Sequence, residues 1–213
     1  MVVDPYAAIG LQRNPFIGEE QLSEPDGIWL DRGFSEPPEP KARQLVQILG
    51  DKGFGKSSHL KYWRSHTGGS YCYYPPGLGR WKFPKIESIV YWDEGDRLPF
   101  ILLIPALILA SLTGTTIAVG THRDLGFWAK LFGLKVTTIE LPPVTPQLLQ
   151  TWANLKIKAA IIPEQNCPVK LSLSEAEEII EKAEGSWRTA TDYLHIWAAA
   201  IAIKRAKTKS FST

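Results

Sequence analysis

The sequence predicts an α/β fold: a parallel five-stranded sheet flanked by helices, followed by a small helical lid. Three observations carry this expectation. Short apolar runs alternate with stretches of helical period up to about residue 142, and strands that alternate with helices imply a parallel sheet covered on both faces. The first apolar run ends in a glycine-rich loop that opens a helix. From about Pro143 onward only helical period remains. The chain of 213 residues has room for one sizeable core with a small appended domain. The expected division is 1–142 for the α/β core, including an extended N-terminal segment, and 143–213 for the lid.

The elements follow in order. The first forty residues read as turns and short extended pieces, and "SEPPEP" (35–40) is a stiff connector, because proline fixes φ and lacks an amide hydrogen. "RQLVQILG" is the first strand, ending at Gly50, and a helix is expected from about Lys56 to His66. "GGSYCYYPP" is the second strand, bounded by Gly and Pro. "ESIVYWDEGD" is the third, apolar from Ile89 to Trp92 and then acidic. Only "GLGRWKFPKIE" joins these two, which is short for a crossover helix. An apolar helix from about Pro99 to Leu112, the strand "TTIAVGT" and the strand "KVTTIEL" complete the core. In the lid, "PQLLQTWANLKIKAAII" is helical in period. "LSLSEAEEIIEKAEG" has Ser174 at a plausible N-cap and Gly185 as its stop, and a last helix carries Leu194, Trp197, Ala198 and Ile201 at helical spacing.

Composition bounds the function. The net charge is +2, unevenly spread: residues 1–40 hold eight acids and two bases, and the last thirteen residues hold four bases and no acid. That tail is expected to be a frayed, solvated end. The only cysteines are Cys72 and Cys167, without CxxC spacing, so they form no metal cluster by themselves, and a reducing, cytoplasmic compartment is expected. The start carries an acid at position 4 and no long apolar run, unlike a secretory signal. Leu98 to His122 contains no Asp, Glu, Lys or Arg, long enough for a membrane span, but Gly114 among Thr113, Thr115 and Thr116 splits it into a helix and a strand. No membrane span is expected. The apolar helix has no polar face; coverage by the fold is the favoured reading, a partner surface the other.

The chemistry lies in two motifs. Gly50-Asp51-Lys52-Gly53-Phe54-Gly55-Lys56-Ser57 fits GxxxxGK[ST]. Glycines let backbone amides approach phosphate oxygens, and the helix start adds the positive end of its dipole. Lys56 would reach the β- and γ-phosphates of ATP, and Ser57 would hold Mg²⁺. Gly50, Gly53, Phe54, Gly55, Lys56, Ser57 and Ser58 are therefore the candidate cradle; a glycine-rich surface loop is the alternative. The second motif is Ile89-Val90-Tyr91-Trp92-Asp93-Glu94. An acid at the C-terminal tip of a central strand sits at the ligand edge of a parallel sheet. Asp93 would hold the Mg²⁺ shell and Glu94 would polarise the attacking water.

With these motifs the chain resembles an AAA+ P-loop ATPase. The resemblance implies that Thr121, in "VGTHRDL", is the residue that watches the γ-phosphate, with His122 as a weaker candidate. It implies that Arg188, in "GSWRTATDYL", is the arginine of the lid. The opening "IGLQRNPF" resembles the N-terminal segment of the small bacterial AAA+ ATPases of secretion and DNA transposition. That likeness implies Ile9, Leu11 and Phe16 near the adenine; a hydrophobic staple on the flank of the domain is the alternative. The chain departs from the family in having "SEPPEP" where a helix is usual. It also has no arginine between Arg123 and Lys135 to offer a neighbouring subunit, although Arg123 could substitute.

The implied function is an ATP-binding, slowly hydrolysing switch or assembly factor that self-associates or acts on a protein partner. A non-hydrolysing nucleotide-binding scaffold is the second reading. An ATP-dependent DNA-associated regulator is the third. The aromatic and basic residues Tyr71, Tyr73, Tyr74, Arg80, Trp81, Lys82, Phe83 and Lys85 could stack on bases, or form sheet core and an exposed hairpin.

Overall fold

The computed structural model describes residues 4–16 and 29–210. The chain divides by packing into two compact units, Asp31–Pro142 and Met1–Leu30 with Pro143–Thr213.

In Asp31–Pro142 the strands are β1 (Gln44–Leu49), β2 (Ser70–Tyr73), β3 (Ile89–Asp93), β4 (Thr116–Thr121) and β5 (Lys135–Glu140). They form one parallel sheet in the order β2-β3-β4-β1-β5. The inner strands β1, β3 and β4 are the apolar runs of the sequence, and β3 and β4 are buried throughout. A strand buried on both faces needs no alternation.

The pleat sorts each strand between two cores. Val46, Ile48, Ile89, Tyr91 and Ala118 pack with Leu60 and Trp63 of α1 (Lys56–Thr67). Leu45, Val90, Trp92, Ile117 and Val119 pack with Leu103, Ala106, Leu107 and Ala110 of α2 (Phe100–Thr113) and Ala129 of α3 (Gly126–Leu131). Asp93 follows Ile89 and Tyr91 at a spacing of two, so it falls on the α1 side. The β2–β3 connection holds a single 3-10 turn, Gly77–Arg80, in place of a crossover helix.

Coverage of α2 is one-sided, which corrects the favoured expectation. Ile101 and Leu112 are 70% and 79% exposed, and Phe100, Phe127 and Leu131 are exposed beside them. One helix face is all that a single sheet can cover, and the sequence places apolar residues around the whole helix. Gly114, in the left-handed region, ends α2. Among the described residues no helix is long and apolar enough to cross a membrane.

The other unit contains α4 (Pro146–Ala159), α5 (Leu173–Ala183) and α6 (Trp187–Ser210). The cap of α5 is Ser172, not Ser174: Ser172 Oγ accepts from Glu175 N, and the Glu175 carboxylate accepts from Ser172 N, a capping box. Either serine fits a cap by composition, and each has a glutamate three residues on, Glu175 and Glu177; only the hydrogen bonds single out Ser172. The N-terminal segment packs here. Ile9, Leu11 and Phe16 are buried among Leu149, Ala153, Ile157 and Leu194, and Leu11 pairs with Ile161 in an isolated antiparallel bridge. Asn14 Nδ2 donates to His195 O and to the Tyr6 hydroxyl. The basic stretch expected to fray is helical to Ser210, and residues 211–213 lie outside the described residues.

Candidate nucleotide site

Gly53 and Gly55 have φ of 88° and 94°, a region that side chains with a Cβ rarely enter, so the loop after β1 turns where glycine alone is comfortable. Gly55 occupies the N-cap of α1 and, as a glycine, brings no side-chain cap of its own, which leaves amides at a helix terminus able to serve as an anion site. Lys56, the first residue of α1, is 4% exposed. Its Nζ donates to Gly50 O at 2.7 Å and Asp51 O at 3.1 Å, and lies 3.4 Å from both ring nitrogens of His122. Burial pushes the ammonium pKa down, against the opposing pull of Glu94, Asp93, Asp96 and Asp51.

Ser57 is on the next position of α1, and Asp93 ends β3 on the same side of the sheet. Ser57 Oγ donates to Asp93 Oδ1 at 3.0 Å. The other carboxylate oxygen, Oδ2, accepts from the Tyr71 hydroxyl at 2.6 Å. Burial, reinforced by the Asp93 carboxylate, pushes the Tyr71 phenol far above the ordinary tyrosine range, so it remains a donor. Gly120 of β4 keeps this corner open: a Cβ there would stand 3.3 Å from Lys56 Cβ and 3.4 Å from Asp93 Oδ1.

Glu94 follows with φ of 59°. Its Oε2 is buried and lies 3.2 Å from both Arg97 Nη2 and His122 Nε2, neither in hydrogen-bond alignment. Arg97 Nη1 also donates to Tyr74 O at 3.3 Å, and His122 N donates to Asp96 Oδ1 at 3.3 Å. His122 therefore stands between the lysine of the loop and the second acid. Thr121 is fully buried, and its hydroxyl closes a turn, donating to Arg123 O and accepting from Arg123 N. The turn is anchored from the centre of the sheet. Gln47 of β1 donates to Asp124 Oδ1 and Thr138 Oγ1, and its Oε1 accepts from Leu125 N. The Gln47 bond holds the Asp124 carboxyl below the usual range.

The residues present fit a magnesium-bound nucleotide. Ser57 donates its hydroxyl hydrogen bond to Asp93, which leaves the lone pairs of a hard oxygen for a hard cation, with a carboxylate behind it. Ser57 with Asp93 would hold the metal, and Lys56, Gly53, Phe54, Gly55 and Ser58 the phosphates. Arg188 lies at the start of α6. Ile9 and Leu11 are each 1% exposed, in the core of the helical unit.

Three residues escape a reading of the sequence as site components. Tyr71 is visible there only as part of an aromatic cluster. Arg97 stands three residues after Glu94, a spacing that becomes meaningful only once the 3-10 turn Gly95–Arg97 is known. Arg32 donates to Phe54 O at 2.8 Å and Pro142 O at 2.6 Å, spans of 22 and 110 residues that no local pattern signals.

No family model matches the sequence, and no curated protein does either. Among solved structures the chain is similar to RuvB of Thermotoga maritima, the Holliday junction branch migration motor, with a TM-score of 0.50 and 16% identity over 78% of this chain and 61% of that one. A single-substitution variant of the same motor gives a TM-score of 0.51 at 17% identity, with the same coverage of both chains. Orc1 of Aeropyrum pernix in complex with DNA gives 0.48 at 17% identity, over 76% of this chain and 55% of that one. The chain thus spans about three fifths of the RuvB chain. At such identities the likeness is one of fold.

Proposed function

We propose that this chain, which has the fold of the AAA+ P-loop ATPases, binds ATP with Mg²⁺ and hydrolyses it slowly as a nucleotide-dependent switch or assembly factor. The observation that carries the proposal is the Ser57–Asp93 hydrogen bond, which joins the two motifs across 36 residues. Bound Mg²⁺ supplies charge neutralisation at the phosphates. The residues of the chain do the rest. The amides of the glycine loop bind phosphate oxygens, and Lys56 exchanges the carbonyls of Gly50 and Asp51 for them. Glu94 orients a water, held in place by Arg97 and His122. His122, next to both Lys56 and Glu94, reports the state of the phosphate, with Thr121 shaping its turn and Arg188 as the candidate arginine of the lid. Slow turnover follows from the lack of an arginine between Arg123 and Lys135, since an arginine finger supplies about 10³–10⁵-fold in related reactions.

Fluorescent-nucleotide titration tests the proposal. Lys56→Ala and Asp93→Ala should each weaken ATP binding about 10- to 100-fold, the worth of a charged hydrogen bond. Binding that survives both substitutions would sink it. Glu94→Gln should keep binding and stop phosphate release. A wild type that releases no phosphate would instead make the chain a nucleotide-binding scaffold.

Nucleic acid is the partner favoured by one observation. The loop between β2 and β3 exposes Leu78, Trp81 and Phe83 beside Arg80 and Lys82, a surface on which bases could stack. A cytoplasmic compartment belongs to the same proposal, both cysteines being free.

A further inference from the structure

The acid that ends β3 is gripped from two sides, and only one of the grips belongs to the nucleotide motifs. Asp93 is 3% exposed, and each of its oxygens accepts from a hydroxyl: Oδ1 from Ser57 and Oδ2 from Tyr71. Tyr71 lies on the edge strand β2. Its register partner on β3 is Tyr91, while the partner of Asp93 is Tyr73. Tyr73 is nevertheless half exposed and has no bond to the acid among those of the described residues. The contact is diagonal: Tyr71 and Asp93 share a face, two residues apart along the strands, about 7 Å, a reach that an aromatic ring with a terminal hydroxyl spans and shorter side chains do not. Arg64 of α1 lies 5.9 Å from the centroid of the Tyr71 ring and donates to Gly69 O.

We infer that Tyr71 is a positioning residue for the magnesium-nucleotide site: its phenol holds Asp93 Oδ2 and so points Oδ1 at Ser57. A carboxylate has two near-equivalent oxygens and a soft terminal torsion. With Oδ2 anchored, the carboxylate plane is set, and the Ser57 hydroxyl is turned with its proton toward Asp93 and its lone pairs away. Without the anchor, Asp93 can rotate, and Ser57 can spend a lone pair on another donor. Tyr71 thereby acts on the metal through Asp93 and touches neither metal nor nucleotide. Outer partners of this sort are worth about 10–100-fold in metal affinity.

This inference rests on the nucleotide-binding reading, and the experiment separates the two. The full chain is titrated with a fluorescent ADP analogue, first in EDTA and then with increasing MgCl₂. Tyr71→Phe, which removes one oxygen and keeps the ring, should raise the half-saturating Mg²⁺ concentration about 10- to 100-fold and leave nucleotide affinity in EDTA unchanged. Tyr71→Leu should do the same, so a folding failure of one variant leaves the other to decide. Tyr73→Phe should titrate as wild type. The inference is overturned if both Tyr71 variants that fold keep the wild-type Mg²⁺ dependence, if they weaken EDTA binding equally, or if wild-type binding does not respond to Mg²⁺. A wild type that binds no nucleotide in either condition overturns the proposed function itself.

Discussion

Replacing Gly95 with alanine should loosen the seat of Glu94, and the structure sets the size of the effect. Gly95 is buried, and a Cβ built there stands 2.3 Å from Val119 Cγ2 and 3.6 Å from Trp92 Cβ. Carbon atoms rest at about 3.5–4.0 Å, so the pair must part by more than ~1 Å. Val119 cannot yield that distance by rotation. It is fully buried in β4, its β-branched side chain has a restricted rotamer, and β4 is held between β3 and β1. The turn carrying Glu94 must move instead. Overpacking of this kind costs about 1–3 kcal/mol. Val119→Ala alone removes two buried carbons at ~0.8 kcal/mol each, before any cavity cost. In the double variant the methyl of residue 95 occupies the vacated space, so its cost should undercut the sum by about 1 kcal/mol or more. Urea unfolding of the four proteins at constant slope measures this. Wild-type stability in Gly95→Ala, or strict additivity in the double variant, would refute the reasoning.

Three other outcomes are expected. Burial holds the His59 pKa below the ordinary 6.5, with the ring bonded to Phe34 O and packed edge-on to Trp63. The unfolded chain therefore takes up the proton first. The stability this gives is complete above about pH 6.5 and falls as pH drops toward the folded-state pKa, by up to ~1.4 kcal/mol per pH unit. His59→Gln should flatten the curve below about pH 6.5 in urea unfolding; an unchanged slope would place the effect elsewhere. In steady-state phosphate release, His122→Ala should lose about 100-fold, the cost of one preorganised group. Thr121→Val should instead cost about 1–3 kcal/mol of stability by stranding the Arg123 backbone, with turnover little changed. The reverse pattern would return the phosphate-watching role to Thr121.

What can be read from the sequence is what is local. The phosphate loop is contiguous, its glycines are demanded by φ, and the acid after four apolar residues marks the tip of a strand, so Lys56, Ser57, Asp93 and Glu94 are legible before their meeting is. The strands are legible as buried runs, but their order is not, because pairing of β1 with β4 and β5 rests on contacts remote in the chain. Tyr71 is hidden for the same reason: its role depends on the register of β2 against β3. The burial of Ile9 and Leu11 against helices from the far half of the chain leaves no periodic trace. The exposed face of α2 misleads because composition reports how apolar a helix is, not how many sides have a neighbour.

The guanidinium of Arg32 has a mechanical meaning. One planar, rigid fork bonds the Phe54 carbonyl in the phosphate loop and the Pro142 carbonyl at the last residue of the α/β unit. A lysine could satisfy either carbonyl as a swivelling point charge; a fork fixes the separation between the two. Arg32 is thus a strut of set length between the loop that would feel a phosphate and the residue where the chain leaves the sheet.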